Sequence, residues 1–194
     1  MNAKTDQKNR SHETILDSAA RLLREKGISG ARVADVMKGA GLTVGGFYAH
    51  FASKEALVDE TLRRTACDLR SRLFDGLGER SPAERTELVL KRYLSRAHRD
   101  SFEDGCPFPA VVSEVATTAP EHRPVLGEQV SALAAELEDT LPDDAALPKK
   151  HLALALVALM VGGLGLARAL AATPASDDVL KACRALGTHA ARPR

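Results

Sequence analysis

Tryptophan is missing from these 194 residues, and aromatic side chains make up only 4% of them, so any core or pocket must be mainly aliphatic. The three cysteines, Cys67, Cys106 and Cys183, are odd in number and far apart, with no Cys-x-x-Cys pair. That excludes a disulfide framework and points to reduced thiols. Residues 1–14 are polar and charged throughout, so no secretory signal is read there. The longest uncharged apolar run, Leu152–Ala167, spans sixteen residues including three glycines, short of the roughly 20 that a bilayer requires. A cytoplasmic protein without a membrane span is therefore expected. Also absent are Gly-x-Ser-x-Gly, a P-loop, a Gly-x-Gly-x-x-Gly turn after a strand and His-Glu-x-x-His, which argues against an enzyme with any catalytic residue set. His98, His122, His151 and Asp104 lack a metal-ligand spacing and are expected at the surface. No metal or cofactor is called for.

What is present is helical. Hydrophobic residues at 44% and charged residues at 27% are ordinary for a globular chain. Ala- and Leu-rich stretches repeat at helical spacing, and no segment alternates like a strand, so an all-α fold of about nine helices is expected. Charge is divided unevenly. Residues 1–54 carry nine Lys/Arg against five Asp/Glu, a net +4, while residues 55–194 carry eighteen against twenty-one, a net −3. A basic N-terminal module on a slightly acidic body suits a nucleic-acid contact at one end.

Residues 1–10, with Lys4, Lys8 and Arg10, read as a polar arm. Ile15, Leu16, Ala19, Leu22 and Leu23 then form one helical face, stopped by Gly27. Val33, Val36, Met37 and Ala40 form a second face, closed by Gly41. Thr43 is an N-cap candidate for a third helix from Thr43 to Phe51, with Leu42 and Phe47 spaced as a hydrophobic staple. Two short helices joined by a glycine-containing turn make a helix-turn-helix, whose second helix can lie in a DNA major groove. In that helix Phe47 and Phe51 point inward, and Thr43, Val44, Gly45, Gly46, Tyr48 and His50 are left for the outside. Adjacent glycines cost a helix about 1 kcal/mol each relative to alanine, a sacrifice that suits close backbone approach to a partner. Thr43 and nearby amides suit a phosphate and Val44 a thymine methyl, while Tyr48, His50 and Lys54 suit phosphate contacts. Arg32 is a candidate for a phosphate or a base edge.

Further on, Ser53 can cap a helix running to about Leu77, and Ser81-Pro82-Ala83-Glu84 is a capping box opening a helix to about Arg99. A bend over residues 102–109 follows. Then come a short helix with Val111, Val112 and Val115, one from Pro120 to Leu141, an apolar one from Lys149 to Ala172, and a last one capped by Ser176. The glycines Gly162, Gly163 and Gly165 thin a face of the apolar helix, where a partner helix could come close. Phe102, Cys106, Phe108, Val112, Met160 and Leu164 are the candidate lining of an aliphatic ligand cavity, with Cys106 also weighed as a redox or electrophile sensor.

The string Val33-Ala-Asp-Val36 followed by Ala40 to Leu57 (AGLTVGGFYAHFASKEAL) resembles the DNA-binding domain of the TetR family of bacterial transcriptional regulators, and the likeness extends over about residues 11–62. It departs at Arg32, where the family commonly has Thr or Ser, and at Ala34, where a polar residue is frequent. The resemblance implies a helix-turn-helix head over residues 1–52 and a helical effector-binding and dimerisation body over residues 53–194. It further implies a homodimer built on the last two helices, a double-stranded operator of pseudo-palindromic sequence, and release by a small apolar or amphipathic effector. DNA contacts carry over to Thr43, Tyr48, His50 and Lys54, with Val44, Gly45 and Gly46 against the groove. Two other classes stay open: a helical adaptor that binds proteins or small molecules without an operator, and an enzyme.

Overall fold

The chain begins with a helix, α1, over Ala3–Gly30 in the computed structural model, which describes residues 3–101, 104–145 and 147–193. The expected polar arm is thus helical from Ala3. No glycine or proline interrupts residues 3–26, Asp6 sits favourably in the first turn, and the Thr14 hydroxyl donates to the Arg10 carbonyl. Gly27 breaks the helix internally, with φ of 69° and ψ of −170°. Ile15, Leu16, Ala19, Leu22 and Leu23 are all buried.

Helix α2 covers Val33–Gly39 and buries Val36 and Met37. It ends in a Schellman arrangement: Gly41, at φ 71°, donates to the Lys38 carbonyl, and Leu42 donates to that of Met37. Helix α3, Lys54–Phe74, is capped by the Ser53 hydroxyl, which accepts from the Ala56 amide at 3.2 Å. It stops three residues short of Leu77, where Gly76 and Gly78 take left-handed φ values, and Arg92 donates to its last carbonyls at Leu73 and Asp75. At 21 residues it spans about 31 Å.

Helix α4, Pro82–Tyr93, opens with the capping box as expected. The helix expected to reach Arg99 is broken at Leu94, and a separate five-residue α5, Arg96–Asp100, starts under a cap from Ser95. Helix α6 spans Phe108–Thr117. After a 3-10 turn at Pro120–His122 comes α7, Arg123–Glu138, shorter at both ends than expected. Helix α8, Lys149–Ala169, and α9, Pro174–Ala190, close the chain. Thr173, not Ser176, precedes α9. Ser176 is buried inside it, donating to the Ala167 carbonyl and accepting from Arg99, so the residue read as a cap instead ties α9 to α8 and α5.

Two apolar clusters organise these helices. One gathers α1, α2 and the residues after it with the first half of α3, and it is completed by Val111 and Val115 of α6 and by Val125 of α7. The other fills the body between α3, α4, α6, α7, α8 and α9. The glycines of α8 divide differently from expectation. A methyl on Gly163 would lie 2.8 Å from the Cys183 sulfur, and one on Gly165 would lie 3.5 Å from Pro109. Both therefore serve packing within the chain, and of the three only Gly162 faces open space. By length and composition α8 could cross a membrane. Yet Leu152, Leu156, Met160, Leu164 and Ala167 place one of its faces in the body core.

Candidate nucleic-acid interface

The segment after Gly41 is a six-residue 3-10 helix, Val44–Ala49, rather than the nine-residue α-helix expected from Thr43 to Phe51. Its bonds reach back three residues, Gly46 to the Thr43 carbonyl and His50 to that of Phe47. Thr43 occupies the N-cap position in extended conformation, but its side chain makes no cap bond. Two consecutive glycines weaken an α-helix through the backbone freedom they lose in it, and the buried Phe47 holds the short element to the head. Its ring centroid is 5.8 Å from that of Phe51 and 5.2 Å, edge-on, from that of Tyr48.

The outward assignment of this element holds for Thr43, Val44, Gly45 and Tyr48, while Gly46 and His50 are only partly exposed. Tyr48 is 75% exposed and Val44 51%, Thr43 and Gly45 are exposed, and nothing lies within 4 Å of the place a Gly45 methyl would take. A methyl on Gly46 would make ordinary contacts with the end of Met37 at 3.8 Å and the Thr43 hydroxyl at 4.0 Å. Arg32 is exposed at the N-cap of α2.

The two remaining candidates are tied into the head. The Lys54 ammonium donates to the Ile28 carbonyl at 2.7 Å, bracing the connection between α1 and α2. His50 is half-buried with Nδ1 enclosed and unpartnered, and its ring is 5.9 Å from that of His12. Burial, and then the neighbouring charges of His12 and Lys8, push its pKa below the ordinary histidine value. His12 in turn stacks on Phe51 at 4.6 Å and reaches Glu60 at 2.6 Å. Its part in positioning His50 was not legible in the sequence, where 38 positions separate the two rings.

In the body, Cys106, Phe108, Met160 and Leu164 do converge, all fully or almost fully buried in one cluster. Val112 does not join them. It is 44% exposed, because Val111 and Val115 take the inward face of α6 and the intervening position is turned outward. Phe102 lies outside the described residues. Beside this cluster a cleft of about 330 Å³ opens between α3 and α4–α5, lined by Leu69, Leu73, Ala97 and His98 with Arg72 and Arg92 at its rim.

The bend at residues 104–107 is held by contacts the sequence did not suggest. Arg168 of α8 donates to the carbonyls of Arg99 and Cys106, and Arg24 of α1 donates to that of Gly105. His98, expected at the surface, is tucked into the body. Nδ1 lies 2.6 Å from the Tyr93 carbonyl and Nε2 accepts from the Cys106 amide at 2.8 Å. The second bond requires an unprotonated Nε2, so the ring is neutral, with its proton on Nδ1. Burial, opposed by the Tyr93 carbonyl, lowers its pKa to about 4. His122 is likewise buried, and its Nδ1 bonds Asp59 at 2.6 Å. Burial pushes the Cys106 thiol up, which is unfavourable for a thiolate sensor. Among the described residues no group of three or more His, Cys, Asp or Glu side chains is placed to hold a metal.

Comparison with known proteins agrees with this geometry. Residues 15–61 match the family described as bacterial regulatory proteins, tetR family. The HTH-type transcriptional repressor KstR2 of Rhodococcus jostii is 38% identical over 88 residues, 43% of this chain and 43% of that protein. KstR2 of Mycobacterium tuberculosis is 47% identical over 49 residues, 25% of this chain and 24% of its own length. The chain therefore spans less than half the length of these curated relatives. A TetR transcriptional regulator from Chloroflexus aurantiacus superposes with a TM-score of 0.78 at 26% identity, covering 95% of both chains. Reduced NemR of E. coli shares the fold, with a TM-score of 0.79 at 21% identity over 95% of this chain and 98% of that one. The segment that carries the glycine-bearing 3-10 element thus matches the tetR family of bacterial regulatory proteins, and the all-helical body behind it shares the fold of a TetR transcriptional regulator.

Proposed function

We propose that the protein is a transcriptional regulator, and most simply a repressor, that binds a pseudo-palindromic DNA operator as a homodimer and releases it when a small apolar or amphipathic molecule enters the body. The observation that carries the reading is the reading element itself. Gly45 stands with open space before it and Gly46 beside it is only loosely contacted, flanked by exposed Val44 and Tyr48, on a head whose sequence matches a family of regulators. Backbone stripped of side chains can approach a groove closely. Val44 suits a thymine methyl, Thr43 and Tyr48 suit phosphates, and Arg32 suits a base edge or a phosphate. His50 and Lys54 contribute mainly by holding the element in place, with one face of each left to the DNA.

The homodimer is supported by the outer side of the last two helices. Leu154 and Leu166 on α8 are 40% and 58% exposed and Leu186 on α9 is 59% exposed, with Ala158 and Gly162 between them leaving a shallow apolar surface. Exposed leucines around small residues suit helix-on-helix packing across a two-fold axis. For the effector, the convergence of Cys106, Phe108, Met160 and Leu164 beside the 330 Å³ cleft supports a site in the body reached past His98. Movement of α3, which runs from the head into the body, would then change the separation of two paired heads.

Selection of duplexes from a random pool by the purified protein tests the DNA-binding reading. Two half-sites of fixed spacing are expected, with the logarithm of the affinity falling linearly as log[salt] rises. Recovery of no duplex even at low ionic strength would end this reading and favour a protein-binding adaptor.

A further inference from the structure

The connection between α1 and α2 is not held by the head alone. The carboxylate of Glu114, on α6 of the body, accepts from the backbone amides of Ile28 at 2.7 Å and Ser29 at 2.8 Å, and it also accepts from the Ser29 hydroxyl. Residues 28 and 114 are 86 positions apart, so this is a tertiary clamp. Three further observations show how closely it is built. A methyl placed on Gly27 would lie 2.0 Å from Glu114 Oε1, so only glycine, already required there by φ 69°, leaves the carboxylate room. The Ile28 carbonyl, on the other side of the same peptide segment, accepts from Lys54 at the start of α3. Val111 and Val115, three residues before Glu114 and one after it on α6, are buried in the head's own cluster. Although burial pushes the Glu114 carboxyl upward, the Ser29 hydroxyl and the two amides hold it below the usual glutamate range, in keeping with an ionised clamp.

We propose that Glu114 is a positioning residue for the reading element: its carboxylate fixes the α1–α2 connection, and through α2 the presentation of Val44–His50, so that α6 as well as α3 couples the body to the head. The inference rests on the reading of the head as a DNA-binding unit. The geometry gives a rigid route for it. The carboxylate sets the first residues after the Gly27 break, and α2 starts four residues later at Val33. Its Schellman end at Gly41–Leu42 leads directly into the 3-10 helix. A displacement of α6 would therefore pull on the base of α2 without first bending α3.

Glu114→Gln tests this. The amide side chain keeps the size and can satisfy one backbone N–H, but it presents its own N–H₂ to the second. Two readouts are made on the full chain. In hydrogen exchange of the protein alone, Glu114→Gln should accelerate exchange at residues 28–29 and through α2 and residues 44–50, while α7 to α9 keep wild-type protection. With a duplex selected by the wild-type protein, affinity should fall about tenfold, the scale of one charge-assisted hydrogen bond lost. Glu114→Asp, which keeps the charge, should recover part of both effects, and Ser29→Ala should reproduce a fraction of them. Unchanged exchange over residues 33–50 with unchanged duplex affinity would overturn the proposal. So would acceleration spread evenly over α7 to α9, the mark of a general stabilising role. Because the exchange measurement needs no DNA, it judges the clamp even if no duplex is selected, in which case only the DNA-binding reading falls.

Discussion

At Gly45, folding and binding can be separated by one methyl group. Its Cβ would meet no atom of the protein, and its φ is not left-handed, so Gly45→Ala should leave the melting temperature unchanged or raise stability by up to about 1 kcal/mol. If the glycine exists to let backbone approach a groove, the same change should weaken duplex affinity by about tenfold, measured by titration at fixed salt. Lost stability at unchanged affinity would remove the glycine from the interface. Lys54 behaves oppositely. From sequence it reads as a plain phosphate contact, but its ammonium is spent on the Ile28 carbonyl. Lys54→Ala should therefore cost about 1 kcal/mol in chemical denaturation as well as affinity, where a purely DNA-facing lysine would cost affinity alone. Tyr48→Phe, at a 75% exposed side chain, should lower affinity with no change in stability.

Among the elements, α4, α5 and the bend are joined through one imidazole, and this makes the body sensitive to acid. His98 must stay neutral in the fold to accept from the Cys106 amide, and its folded pKa of about 4 lies below the ordinary 6.5. A depressed histidine pKa means that the unfolded chain binds the proton first as pH falls. The stabilisation is complete above about pH 6.5, declines between 6.5 and 4, and is gone below that. About 2.5 pH units at roughly 1.4 kcal/mol each gives a loss on the order of 3 kcal/mol. Urea denaturation at pH 7, 5.5 and 4 should show this slope, and His98→Gln should flatten it while lowering stability at pH 7. A slope identical in both proteins would assign the acid lability elsewhere.

For the molecule as a whole, the outer face of α8 and α9 is where the proposed assembly is decided. Leu166→Glu, at a residue 58% exposed in the single chain, should leave the fold intact and shift sedimentation from dimer to monomer. Affinity for a two-half-site duplex should drop far more than affinity for a single half-site. A monomeric wild-type protein, or a dimer indifferent to Leu166→Glu, would place the contact elsewhere.

How far these levels were legible depends on the range of the forces involved. The face of α1, the Gly27 break, the Gly41 stop, the Ser53 cap and the Ser81–Glu84 capping box follow from neighbouring residues and appear where the sequence puts them. So does the outward face of Thr43, Val44, Gly45 and Tyr48, because Phe47 and Phe51 claim the inside. The outward turn of Val112 and the break at buried Leu94 go with packing against partners far along the chain. The sequence by itself determined the all-helical class, several caps and glycine stops, and which edge of the head is bare, because caps, glycines and apolar periodicity act over a few residues. Only the tertiary structure decided that Glu114 reaches the amides of Ile28 and Ser29, that His98 is neutral against Cys106, and that Gly163 and Gly165 serve packing within the chain. Those contacts join residues tens of positions apart, and no local pattern encodes which distant backbone group a carboxylate or an imidazole will meet.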